Sequence, residues 1–106
     1  MYRLKFSKLY DTDVDSSYNY ITNNLQAPMA AENLIKETIL KLEKIKENPK
    51  IRPLVHDKYL AALGYRSMKV KNYLIFYIIG DDKTIKIVRF LYGKRNWMNL
   101  LKEETK

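Results

Sequence analysis

The sequence predicts an α+β domain of two layers, in which two helices cover one face of a mostly antiparallel sheet. Three observations predict it. Residues 2–6 alternate apolar and basic side chains, two stretches with helical spacing lie within residues 11–48, and three strand-like segments fill residues 65–93. The predicted order is strand, αα-hairpin and three-stranded antiparallel meander, with a short helical segment at residues 96–104. The 106 residues suffice for a single domain spanning 1–106.

The first strand and the first helix follow from a change of period. The opening segment, YRLKF, has period two, which is typical of a half-buried strand. Beyond it, apolar side chains fall three or four residues apart, at Val14, Tyr18, Ile21 and Leu25. Asp11 or Thr12 is expected to cap this helix, because short oxygen-bearing side chains accept from free backbone N–H groups at a helix start.

The second helix has the clearest pattern. Pro28 is expected in its first turn, and the residue before Pro49 ends it, because proline disfavours helical geometry in its predecessor. One apolar stripe runs along it, formed by Ala31, Leu34, Ile35, Thr38, Leu42 and Ile45. The two helices therefore form a hairpin whose stripe packs on the sheet.

The C-terminal half is predicted to be irregular over residues 49–64 and then to form a meander. Residues 72–79 are apolar on both faces, which indicates a central strand, and GDDK at 80–83 is a turn. In the segment at 65–70, Met68 and Val70 lie on one side, and Ser67, Lys69 and the following Lys71 lie on the other. We expect Lys69 and Lys71 to lie on the opposite face, and that face to be open.

Composition excludes several chemistries. There is no cysteine, so disulfides and thiolate metal sites are impossible, and the single histidine, His56, has no companion ligands. We therefore expect no metal and no cofactor. The charged N-terminus lacks a signal-peptide pattern and no apolar run is long enough for a membrane span, which favours a soluble, cytoplasmic protein.

The charge is unevenly distributed. The net charge is +8, of which residues 1–63 carry +2 and residues 64–106 carry +6. Such a surface attracts nucleic acid or acidic proteins, although a basic surface can also serve solubility alone.

Cations and rings of this half are the candidate site residues. Lys69 and Lys71 are two apart on a predicted strand, so both project from one face. The other candidates are Arg66 at the start of that strand, Arg89 within the last strand, Lys94 and Arg95 just after it, and the ring of Tyr92. Arg89 either pairs with an acidic group or opens to the sheet face. Cations and aromatic rings together suit a single-stranded nucleic acid, whose phosphates pair and whose bases stack.

Such cations could also support chemistry without histidine. Cleavage of RNA by its own 2′-hydroxyl needs the developing phosphorane charge stabilised, which Lys and Arg supply directly. A lysine crowded by cations can also act as a base. Tyr73, Tyr77 and Trp97 are interpreted as packing residues, with Trp97 anchoring the tail.

The segment YRSMKVKNYLIFYIIGDDKTIKIVRFLYGKRNW resembles the RelE/ParE superfamily of type II toxin–antitoxin toxins, and the order of elements extends this resemblance over nearly the whole chain. The resemblance implies the family fold and an acidic antitoxin partner. RelE-type members cleave mRNA on the ribosome with a set of Lys and Arg residues, whereas ParE-type members poison DNA gyrase and lack that set.

Carried over to this chain, the resemblance implies catalytic roles for Lys69 and Arg95. Three positions depart from the RelE-type pattern: Ser67 and Leu74 replace basic residues, and Leu101 stands near an expected tyrosine. The leading hypothesis is a ribosome-dependent mRNA endoribonuclease. The alternatives are a gyrase inhibitor without nuclease activity and a non-toxic relative that only binds.

Overall fold

The computed structural model describes residues 1–105. In it, the chain folds into a four-stranded mixed sheet with helices on both faces. The elements in chain order are β1 (Arg3–Phe6), α1 (Lys8–Asn19), a π-helical turn (Tyr20–Asn24), α2 (Pro28–Glu47), a 3-10 turn (Pro49–Ile51), α3 (Lys58–Ala62), β2 (Tyr65–Val70), β3 (Tyr73–Ile79), β4 (Thr84–Tyr92) and α4 (Trp97–Glu104). The predicted α+β class, helical hairpin and meander are confirmed.

The sheet places β4 in its interior. The strand order is β1-β4-β3-β2, with β1 parallel to β4 and the other pairs antiparallel. The apolar segment predicted to be central is β3, between β4 and β2, and its residues Ile75, Phe76 and Tyr77 are buried. A strand with neighbours on both sides and cover on both faces can be apolar throughout.

A β-bulge interrupts the pairing of β3 with β4. Phe76 lies opposite Arg89, but Tyr77 lies opposite Ile87, so Val88 is the extra residue. Side chains alternate between the two sheet faces along a strand. One extra residue therefore moves each later side chain to the face opposite the one that strict alternation predicts. Phe90 consequently packs with Ile87 in the same core cluster.

The αα-hairpin covers one face of the sheet and forms the larger core, the helix-side core. Its buried residues are Tyr10, Leu34, Ile45, Met68, Val70, Ile75, Tyr77, Ile85, Ile87 and Phe90. Tyr10 of α1 meets Phe90 edge-to-face, with ring centroids 6.0 Å apart. The predicted α2 stripe is confirmed, since Ala31, Leu34 and Ile45 are buried.

The second sheet face is covered, so the prediction that it is open was wrong. α3 and α4 pack on it and form a second core, whose buried residues are Leu60, Tyr65, Phe76, Leu91 and Leu101. The predicted irregular stretch at 49–64 contains α3, which Asp57 caps by accepting from the N–H of Leu60. Trp97 anchors α4 as predicted, with its ring 5.0 Å from that of Phe76.

The first helix begins earlier than predicted, because Ser7 rather than Asp11 or Thr12 caps it. The Ser7 hydroxyl accepts from the N–H of Tyr10 and donates to the carbonyl of Val88. Ser7 thereby caps α1 and also gives a hydrogen-bond partner to the carbonyl of Val88, which directly follows Ile87, the last residue of β4 that pairs with β1. At the other end, the π-helical turn takes Leu25 out of the predicted stripe, and its side chain is 55% exposed.

Replacing Tyr77 with Phe is expected to destabilise the fold. The buried Tyr77 hydroxyl donates to the carbonyl of Pro49 at 2.8 Å, so its removal leaves a buried acceptor without a partner. We expect the free energy of unfolding in urea to fall by about 1–2 kcal/mol. Tyr73→Phe is the matched control, since Tyr73 is half-buried and its hydroxyl makes no hydrogen bond within residues 1–105. Equal effects of the two variants would contradict the assignment.

Stability is expected to fall in alkaline solution. Burial, and then the charge of Asp11, raise the pKa of Tyr10 to about 12 from the ordinary 10.0. Between these values the folded chain holds a proton that the unfolded chain has lost, so the free energy of unfolding decreases as pH rises. Urea unfolding at about pH 9 and about pH 11 measures the slope. Tyr10→Phe should reduce the slope without abolishing it, because burial also raises the pKa of Tyr65 and Tyr77, whereas Tyr20→Phe, at an exposed position, should not change it.

Candidate functional site

One end of the sheet gathers most of the predicted cations. There the turn between β2 and β3 meets the segment after β4, because the N–H of Gly93 donates to the carbonyl of Asn72 at 2.8 Å. A Cβ atom at Gly93 would lie 3.2 Å from that carbonyl oxygen, which explains a glycine at this position. The exposed residues of this end are Lys69, Lys71, Tyr92, Lys94 and Arg95.

The register separates these residues between the two sheet faces. Lys69 lies opposite Leu74, which lies opposite Leu91 of the second core. Tyr92 lies opposite Tyr73, which packs against the helix-side core. Lys69 and Tyr92 therefore project from opposite faces, and Tyr92 does not replace the missing tyrosine beside Lys69.

Lys71 is not on the strand face where it was expected. β2 ends at Val70, and Lys71 adopts a left-handed φ of 53° in the turn that follows. The turn takes over at this residue because β3 starts only two residues later, at Tyr73. Lys69 and Lys71 consequently share the end of the sheet but not a common strand face.

Arg66 lies away from this end and has a structural contact. Its guanidinium donates to the carbonyl of Arg52, while the side chain of Arg52 donates to the carbonyl of Ser67. A backbone bridge between Leu54 and Arg66 adds to this attachment. Arg66 therefore fastens the segment after α2 to the edge of β2.

Arg89 is buried in an ion-pair network, the Arg89 network, with Asp13 of α1 and Glu104 of α4. It is 6% exposed and donates to both carboxylate oxygens of Asp13, from Nε at 2.6 Å and from Nη2 at 2.7 Å. Its Nη1 atom donates to Glu104. Of the two sequence alternatives for Arg89, the structure has the acidic pairing, which compensates its charge.

Asp13 also accepts a hydrogen bond from a backbone N–H of β4 that no strand pairs. β1 pairs with β4 only as far as Ile87, so the edge of β4 beyond this residue has no strand partner. The Asp13 carboxylate accepts from the N–H of Phe90 at 3.0 Å. Sequence reasoning gave Asp13 no role, and no local pattern signals its contact with a strand 76 residues away.

A groove of about 750 Å³ opens between the end of α1 and this sheet end. Its helix wall comes from α1 and the π-helical turn, with Asp13, Ser17 and Tyr20, and the sheet wall includes Tyr92 and Arg95. Arg95 is held in a tight turn, since its N–H donates to the carbonyl of Tyr92 at 3.0 Å. Lys69, Lys94 and Lys71 do not line the groove.

The geometry suits binding of an anionic partner. Residues 1–105 contain no group of three or more His, Asp or Glu side chains placed to hold a metal ion. None of their helices combines the length and apolar character needed to cross a bilayer. The order of elements and the cationic sheet end agree with the resemblance to RelE/ParE toxins.

Comparison with known proteins gives the family. The sequence profile described as "ParE toxin of type II toxin-antitoxin system, parDE" matches residues 4–97. The chain therefore belongs to the ParE toxin family within the RelE/ParE superfamily, and is a type II toxin with an antitoxin partner. No curated protein matches it significantly.

Solved structures share the fold at low sequence identity. A chain from "Chromosomal ParDE TA system from P. aeruginosa" is 17% identical, with a TM-score of 0.70 and coverage of 89% of this chain and 98% of that one. YafQ from E. coli strain BL21(DE3) is 16% identical, with a TM-score of 0.51 and coverage of 87% and 93%. A histidine-to-glutamine mutant of E. coli YafQ is 17% identical, with a TM-score of 0.50 and the same coverage.

Removing Asp13 is expected to destabilise the protein more than removing Glu104. Asp13→Ala leaves Arg89 partly uncompensated and the N–H of Phe90 unpaired, which should lower the free energy of unfolding by about 3 kcal/mol. The Glu104 side chain is more exposed, so we expect about 1 kcal/mol for Glu104→Ala. Urea unfolding measures both. Asp15→Ala, at an exposed position of α1, is the control, and a loss for Asp13→Ala no larger than for this control would refute the network.

Proposed function

We propose that this toxin acts in the ParE manner, by binding DNA gyrase, and does not cleave RNA. The observation that carries the proposal is the separation of the predicted catalytic cations: Lys69 lies on the sheet face covered by α4, whereas Arg95 lines the groove beside α1. Cleavage of RNA needs its cations around a single phosphate.

The departures from the RelE-type pattern support the same proposal. Leu101 is fully buried in the second core, so the position near the expected tyrosine offers no group to move a proton. Leu74 is the cross-strand neighbour of Lys69, and its apolar side chain supplies no charge beside that lysine. Arg89, the other arginine of the groove, is compensated by two carboxylates.

Ribosome-dependent mRNA cleavage is the second candidate. Lys69, Lys71, Lys94 and Arg95 are all exposed at the same end of the sheet, which favours a polyanion that bends around this end. YafQ shares the fold, but at this level of identity the likeness extends to the fold alone. The experiment below distinguishes the two candidates.

The antitoxin is proposed to cover the groove. Its walls combine the rings of Tyr20 and Tyr92 with the cation of Arg95, a combination that suits an amphipathic segment with acidic residues. The net charge of +8 would steer an acidic partner to the toxin. An antitoxin in the groove would then exclude the target by occupying the same surface, in the cytoplasm where both targets act.

Two assays with purified protein test the proposal. We expect inhibition of DNA supercoiling by gyrase and intact mRNA after incubation with translating ribosomes. Arg95→Ala should weaken the inhibition about tenfold, because it removes one charged contact from the groove. Lys36→Ala, on the exposed face of α2, is the control of equal charge change and should inhibit normally.

The opposite pattern favours the nuclease. Cuts in ribosome-bound mRNA that disappear in the Lys69→Ala, Arg95→Ala double variant, with gyrase unaffected, would reject the ParE-type proposal. Unimpaired growth after tightly induced expression, with neither activity in vitro, would indicate a relative that only binds.

A further inference from the structure

A second cationic surface lies at the opposite end of β4 from the groove. On the face turned away from α1 and α2, Lys5 of β1 lies directly opposite Lys86 of β4, and Arg3 lies opposite Thr84. Their strand neighbours Leu4 and Ile85 belong to the helix-side core, which fixes the outward direction of the cations. The two ends of β4 are about 26 Å apart, at about 3.3 Å per residue.

These cations line a hollow of about 510 Å³ between β1 and the turn that joins β3 to β4. The Arg3 guanidinium donates to the Thr84 hydroxyl at 3.4 Å, which holds it beside the hollow. Lys5 and Lys86 are both exposed, as is Arg3. The polar heads of all three side chains are therefore accessible.

No carboxylate compensates this charge within the described chain. None of the ion pairs of residues 1–105 involves Arg3, Lys5 or Lys86, although Asp81 also lines the hollow. Like charges directly opposite on neighbouring strands repel each other. An anion placed between Lys5 and Lys86 would turn this repulsion into attraction.

The adjacent turn carries a further cation, Lys83, which points to the other face of the sheet. Asp82 and Lys83 have left-handed φ values of 54° and 59°, a conformation that hairpin turns normally assign to Asn and Gly. Lys83 holds its ammonium group 4.9 Å from the ring centroid of Tyr2, which precedes β1 and packs against the helix-side core. Lys83 therefore lies on the helix side of the sheet, outside the surface formed by Arg3, Lys5 and Lys86.

We propose that this patch, formed by Arg3, Lys5 and Lys86, binds the phosphodiester backbone of a nucleic acid without reading its bases. Phosphate contacts need only accessible cations, whereas a protein partner normally also needs buried apolar anchors. The lining offers a single large apolar residue, Leu4, and its side chain packs against the helix-side core. The proposal does not depend on the target of the toxin.

Binding to labelled nucleic acids as a function of salt tests the proposal. The probes are a 20-base-pair DNA duplex and a 20-nucleotide single-stranded RNA of unrelated sequence, each followed by fluorescence anisotropy. For Lys5→Ala, Lys86→Ala we expect affinity to fall about tenfold or more. The slope of log K against log salt should fall by about 1.8 for duplex DNA or about 1.4 for single-stranded RNA, according to which is the ligand.

The matched control is Lys36→Ala, Lys44→Ala, which removes the same charge from exposed positions of α2 and should change neither quantity. Equal losses in both double variants, or no loss in either, would overturn the proposal. A glutamate-rich peptide is the third probe: if only its binding depends on Lys5 and Lys86, the patch serves an acidic protein instead. Lys86→Gln is a further variant for use if the double variant fails to fold by circular dichroism.

Discussion

The Arg89 network joins the two helical layers to the sheet. Arg89 belongs to β4, Asp13 comes from the helix on one face and Glu104 from the helix on the other. A buried guanidinium tolerates loss of water only when acidic partners and hydrogen bonds replace it, so the positions of α1 and α4 are coupled to this one side chain. The groove wall and the segment that carries Arg95 both adjoin these elements.

Sequence reasoning succeeded where the pattern is local. Period two sets β2 at 65–70, and Pro28 and Pro49 delimit α2. It failed where a single residue or a partner distant in sequence determines the local structure. α3 has only five residues, too few to show a helical period, and Asp57 is its main signal. The bulge at Val88 has no sequence signature, so the faces of Arg89 and Tyr92 could not be assigned, and the partners of Arg89 lie in other elements.

The excess positive charge of residues 64–106 accounts for only part of the two cationic surfaces. The end of the sheet beside the groove takes Lys94 and Arg95 from residues 64–106, but the second patch combines Lys86 with Arg3 and Lys5 from the N-terminus. Counting charges along the chain cannot detect the second patch, because the parallel pairing of β1 with β4 creates it. The two surfaces lie at opposite ends of the same strand and can be altered independently.

The interior position of β4 also determines when the protein can become active. Of the four strands within residues 1–105, β4 is synthesised last, yet it pairs with both β1 and β3. A nascent chain that ends before β4 has neither the β1 pairing nor the groove, because β4 supplies one side of each. Folding of the sheet is therefore delayed until β4 has been synthesised, and a toxin chain that ends before β4 has no assembled surface for a target or an antitoxin.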